Sequence, residues 1–166
     1  MENNKIFKIT GLVNDFKALL GIVAVNIIVP IGIITQRSTY HISLIQILTA
    51  ILLFLIIGIF TYAFYKEYTL LKGGITVDIE NDKFIYPIKT TLWNLNQKNI
   101  REISLHSIFA ISAKDNVVRK SDGKVRYYYN ITIQSNEVDY PIGYSFYSSG
   151  NRDRLYSILK SVNGLD

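Results

Sequence analysis

Cysteine is absent from the 166 residues, histidine occurs twice, and tryptophan and methionine once each. The lack of cysteine excludes disulfides, thiol nucleophiles and thiolate metal sites, and fits a reducing compartment. With only His41 and His106, the usual His-rich metal sites are excluded as well. A Gly-rich phosphate loop is missing, because Gly73-Gly74 is not followed by Lys-Ser or Lys-Thr. Asp78, Glu80 and Asp82 alternate as in a calcium loop, but the required Gly and the distal Glu are lacking, so they read as turn residues. No catalytic constellation, metal site or cofactor is expected, and the chain reads as a non-enzyme.

Charge is missing from two long stretches. Ala18 to Gln36 and Ser38 to Tyr65 contain no Lys, Arg, Asp or Glu and are dense in Leu, Ile, Val and Phe. Each is long enough to cross a hydrocarbon core of about 30 Å. No small-x-small cleavage site follows Ile34, and a second apolar run begins within a few residues, so a helical hairpin is simpler than a signal peptide. Pro30, with Gly21 and Gly32, marks a kink or a close helix approach in the first span. Asn26 in the first span and Gln46 in the second are the polar candidates to face the interior of a bundle if several copies assemble. Lys5, Lys8, Lys17, Lys66 and Lys72 lie on the side shared by both termini, and only Arg37 lies between the spans. Both termini are therefore expected on the cytoplasmic face of a bacterial inner membrane.

The pattern predicts an interfacial lead-in over residues 1–16, a two-helix transmembrane hairpin over 17–72, and a cytosolic β-rich ligand-binding domain over 73–166. Gly73-Gly74 marks the last boundary. Beyond it the hydrophobic period changes to two: Ile75, Val77 and Ile79 alternate with polar residues, the turn Glu80-Asn81-Asp82-Lys83 follows, and Phe84 to Pro87 returns. Ile100 to Ala113 reads as one long strand, or two with a bulge, with Ile103, Leu105, Phe109 and Ile111 on one face. Lys114 to Lys124 reads as a loop. Then Tyr127, Tyr129, Ile131 and Ile133 alternate with Tyr128, Asn130, Thr132 and Gln134, and Val138 to Tyr144 forms the last strand. Leu155, Ile158, Leu159 and Val162 predict a helix from about Asn151, capped by Ser148 or Ser149. The predicted fold is a membrane α-helical hairpin plus an α+β soluble domain, its antiparallel strands closed by a C-terminal helix.

Positive charge concentrates in the soluble part. Between Lys83 and Arg126 there are nine basic residues and three acidic ones. Five of the nine (Lys114, Arg119, Lys120, Lys124 and Arg126) lead directly into Tyr127-Tyr128-Tyr129. Guanidinium and ammonium groups bind phosphate oxygens, and aromatic rings stack on bases. Arg101, His106, Lys114, Arg119, Lys120, Lys124, Arg126 and Tyr128 are the candidate ligand contacts. The same pattern is compatible with solvated turn cations over core-packing tyrosines, and with attraction to anionic lipid at roughly 1 kcal/mol per charge. Arg152 and Arg154, at the start of the last helix, are a further possible anion contact.

Two membrane helices, a short linker and a basic, aromatic cytosolic domain resemble the small membrane effectors associated with type III CRISPR systems. The resemblance implies an antiviral effector that binds cyclic oligoadenylate as activating ligand, assembles as a homo-oligomer (a tetramer being favoured), impairs the membrane, and has no DNA partner. Strands followed by a C-terminal helix also resemble bacterial pleckstrin-homology-like domains on a membrane hairpin. That resemblance implies binding of anionic lipid or a partner protein through the same basic tract. In a third reading, a phage-exclusion or immunity protein, the helices would bind another membrane protein and the basic tract would be dispensable.

Overall fold

A computed structural model describes residues 5–13, 24, 44–119 and 122–164. The predicted first span with Asn26 and Pro30, and the candidate Lys120, lie outside the described residues. By its contacts the chain divides into two units: residues 1–13, 69–89 and 98–166, and residues 14–68 and 90–97.

The second unit carries most of helix α1, Leu44–Gly73. Ile51–Gly73 is long and apolar enough to cross a membrane, and no other helix among the described residues is. Its apolar residues are exposed around the whole circumference, Leu52, Phe54, Leu55, Ile59 and Phe60 among them, so no stripe is reserved for a protein core. Thr61 satisfies its hydroxyl within the helix, donating to the Ile57 carbonyl at 2.8 Å. The unit also contains a short 3-10 turn at Leu92–Asn94. The Asn94 side chain accepts the Thr91 backbone N–H at 2.7 Å, which closes that turn.

The first unit is built of two antiparallel sheets and a helix. Strands β1 (Ile6–Ile9), β2 (Ile75–Asp78), β3 (Lys83–Pro87) and β4 (Ile100–Ser104) form one sheet in that order. Strands β5 (Ile108–Arg119), β6 (Val125–Ser135) and β7 (Ile142–Phe146) form the other. Their inner faces share one core, with Val77, Phe84, Tyr86 and Ile103 from the first sheet and Ile108, Ile131, Ile133, Ile142 and Phe146 from the second. Helix α2 (Ser149–Asn163) adds Leu155 and Leu159, both fully buried, and ends at Gly164 in the left-handed conformation. The coarse expectation of an α+β chain with antiparallel strands and one apolar helix therefore holds.

Several expectations are corrected. Residues 6–9, read as part of an interfacial lead-in, are β1 and pair with β2 from Ile6↔Asp78 to Ile9↔Ile75. Leu12 is buried and bridges to Phe146, and the Val13 N–H donates to the Ser145 carbonyl at 2.7 Å, so the segment also reaches the second sheet. The segment that carries α1 is thus an insertion between two neighbouring strands. Gly74 lets the chain return: its φ is +77°, and a Cβ there would run into the Ile9 carbonyl.

The stretch from Ile100 onward is two strands in different sheets, separated by a 3-10 turn at Leu105–Ser107. That turn, with a bulge between Ile108 and Ala110, resets the alternation. Ile103, Leu105 and Ile108 are buried, and Phe109 is half exposed. The tract read as a loop from Lys114 is strand as far as Arg119. The last strand begins at Ile142, and the final helix starts at Ser149 rather than near Asn151.

Candidate functional site

The β5–β6 hairpin positions most of the candidate residues. Its pairing runs from Ile108↔Ser135 to Arg119↔Val125, but β7 covers β6 only from Ile133 to Tyr129. The last four residues of β5 (Asn116–Arg119) and the first four of β6 (Val125–Tyr128) project past β7 by about 13 Å at roughly 3.3 Å per residue. Alternation assigns Lys114, Asn116, Val118, Arg126 and Tyr128 to the outer face. Asp115, Val117, Arg119, Val125, Tyr127 and Tyr129 lie on the face that continues from the core.

On the outer face the Arg126 guanidinium donates to the Tyr128 hydroxyl at 3.3 Å, which raises the Arg126 pKa further and keeps it charged. The Tyr128 ring stands 6.4 Å from that of Tyr147. Lys114 lies opposite Asn130, whose side chain accepts from the Ser145 hydroxyl at 2.6 Å. On the other face Val117, Val125 and Tyr127 are exposed apolar groups, beside Arg119. At the turn the Lys124 ammonium is 3.8 Å from Asp122 and 82% exposed, an ion pair too wet to be worth much. Lys114, Arg119 and Arg126 form no ion pair among the described residues. The acid on the hairpin's inner face, Asp115, is engaged by Arg152, which also binds Asp153 at 2.6 Å and stacks over Tyr129 at 5.6 Å. Arg152 therefore braces the base of the hairpin, and Arg154 lies over Phe7.

The structure joins Arg126 to Tyr128, places Lys114 on the same face about 13 Å along the strand from Arg126, puts Arg119 on the opposite face and Lys124 at the turn, and sets Arg101 and His106 on other elements. Arg101, on β4, donates to the Tyr140 hydroxyl at 2.9 Å and lies over that ring. His106 sits in the 3-10 turn before β5, its Nδ1 2.6 Å from Asp82. The twelve residues of β5, about 40 Å of strand, separate that turn from the hairpin tip. Asp82 is a local hub: it binds Ser104 Oγ, His106 Nδ1 and the His106 N–H. Those bonds, the Ser104 one first, hold its carboxyl below the usual carboxylate range. This is turn architecture, which the charge of His106 alone could not reveal. No cluster of His, Asp or Glu suited to a metal ion occurs among the described residues.

No known protein family, curated protein or solved structure matches this chain.

Proposed function

We propose that the protein is a membrane-anchored, non-catalytic binding module whose β-sandwich uses the β5–β6 hairpin to hold an anionic, phosphate-bearing ligand. The observation that carries this is the projecting hairpin itself. Arg126 and Tyr128 share its outer face, Lys114 lies on the same face at its base, and no carboxylate stands on that face to compete for phosphate oxygens.

The anchor is a two-helix hairpin with both termini in the cytoplasm, and topology supports it. Because β1 and β2 are hydrogen-bonded neighbours, the chain leaves and re-enters the sandwich on one side of any membrane. A chain that crosses through α1 must cross once more between Val13 and Leu44. The uncharged run from Ala18 to Gln36 has the length for that crossing.

Four strands, then three, then a C-terminal helix favours the pleckstrin-homology-like resemblance for the domain. Under that reading the phosphate belongs to a lipid headgroup. The CRISPR-associated effector reading uses the same hairpin chemistry with cyclic oligoadenylate as ligand, and a homo-oligomer then repeats the few cations of each copy around a symmetric ring. A membrane response would further require the ligand to bind one helix arrangement more tightly than another.

Calorimetry on the full chain in neutral-lipid nanodiscs separates the sources, with cyclic oligoadenylate in one arm and soluble inositol phosphates in the other. Binding in either arm should weaken about tenfold or more in Lys114→Ala/Arg126→Ala, roughly 1.4 kcal/mol. Arg101→Ala should leave it unchanged. No binding in both arms, or binding indifferent to the double substitution, would remove the hairpin from the function.

A further inference from the structure

The chain has one tryptophan, and Trp93 is 95% exposed, the most exposed large hydrophobic residue described. An indole carries more apolar surface than almost any side chain, and leaving it in water forgoes its burial. Trp93 is nevertheless held in place. It is the middle residue of the 3-10 turn Leu92–Asn94, which Asn94 closes by accepting the Thr91 N–H. The chain just after the turn is fixed to α1: the Lys66 ammonium donates to the carbonyls of Leu95 and Gln97.

Lys66 has a particular place in that helix. It is the first charged residue after the uncharged run from Ser38 to Tyr65, and exposed Tyr62 and Tyr65 immediately precede it. Charge and tyrosine at the end of an apolar helix mark the level at which hydrocarbon gives way to headgroups. The two hydrogen bonds therefore tie the Trp93 turn to the helix at that level, within the same unit. Tryptophan is the residue that favours this level most, its ring among the acyl ends and its N–H toward water.

We propose that the segment Thr90–Gln97 is an interfacial anchor, with Trp93 inserted into the headgroup region of the membrane that α1 crosses. This rests on α1 being a membrane span. Lys66 then has two functions, as a charge at the lipid boundary and as the clamp that sets the depth of the turn. The occupant of the exposed indole is lipid rather than protein, because Lys66 ties its turn to α1 at the end of that helix's exposed apolar run.

Trp93 is its own reporter. In the full chain reconstituted in phosphatidylcholine vesicles, its emission should be shifted to the blue of free indole and poorly quenched by iodide. Lipids brominated high in the acyl chain should quench it more strongly than lipids brominated near the bilayer centre. Lys66→Met, which keeps the apolar stem and removes the clamp, should raise iodide quenching and lower the bromolipid effect. Emission at the free-indole wavelength, or a blue shift that no bromolipid alters, would overturn the proposal, the second pointing to a protein cover. Carbonate extraction of membranes reads the span separately. Release of the protein would end the anchoring reading and this one together, whereas retention with a water-exposed Trp93 would end only this one.

Discussion

Asp82 concentrates several local requirements in one residue. Its φ is +54°, a conformation that Asp tolerates better than most side chains. Its backbone carbonyl accepts the Leu105 N–H, and its carboxylate accepts from Ser104 and from the start of the 3-10 turn. A carboxyl held below its unfolded value of about 3.9 contributes stability that is fully present above that pH. That contribution is lost as pH falls through the lower folded value. Asp78, lowered chiefly by the Asn81 side chain, acts in the same direction. Thermal melting of the full chain in detergent between pH 6 and pH 2 (a range set about the carboxylate values) should show a midpoint that drops through the acid limb. Asp82→Asn should lower the midpoint at pH 6 and flatten that limb; an unchanged limb would mean that Asp82 titrates alike in both states. The sequence placed Asp82 in the turn between β2 and β3, but not its bonds to Ser104 and His106, and it left His106 as one of eight candidate contacts. Charge is visible in a sequence, but the partner that occupies it is not.

Elements were legible in proportion to how regularly they meet the core. The β2–β3 hairpin, β6 and α2 show clear periods of two or of three and four because one face of each is buried. The break between β4 and β5 carries no Gly or Pro, only Leu-His-Ser, so the sequence left one long strand or two with a bulge open and did not show that the two belong to different sheets. The outer end of β5 has little core to meet and reads as polar loop, although pairing with β6 makes it strand. Strand β1 is four residues beside an apolar span and looked like part of the anchor. Helix α2 yields a contrast between core and cap. Ser148 stands at its N-cap position without a side-chain cap bond, so Ser148→Ala should cost less than the usual ~1 kcal/mol. Leu155→Ala, at a fully buried position, should cost about 2–5 kcal/mol. Chemical denaturation of the two variants would expose a hidden cap if their costs proved similar.

For the molecule as a whole, the insertion redefines the smallest piece that can fold. Residues 73–166 lack β1, which covers the outer edge of β2, and lack Ile9 and Leu12, both buried in the shared core. That fragment should be insoluble or should expose its core to a dye. Residues 1–13 joined to 74–166 through a flexible Gly-Ser linker should give a dispersed two-dimensional NMR spectrum. Equal folding of the two would mean that β1 is dispensable. The change of period at Gly73-Gly74 coincides with the end of α1 and the start of β2, whereas nothing in the sequence set Ile6–Ile9 apart as a strand of the same sheet.

The order of synthesis gives that insertion a cost in time. Strand β1 leaves the ribosome first, yet its partner β2 lies beyond everything from Thr10 to Gly74. At about 5–20 residues per second the wait is on the order of ten seconds or less. Throughout that interval Ile6–Ile9 is an unmatched strand with open backbone groups. Under the proposed two-span anchor, the sandwich can close only after the inserted segment has returned to its starting side, and its folding then doubles as a check that insertion was completed.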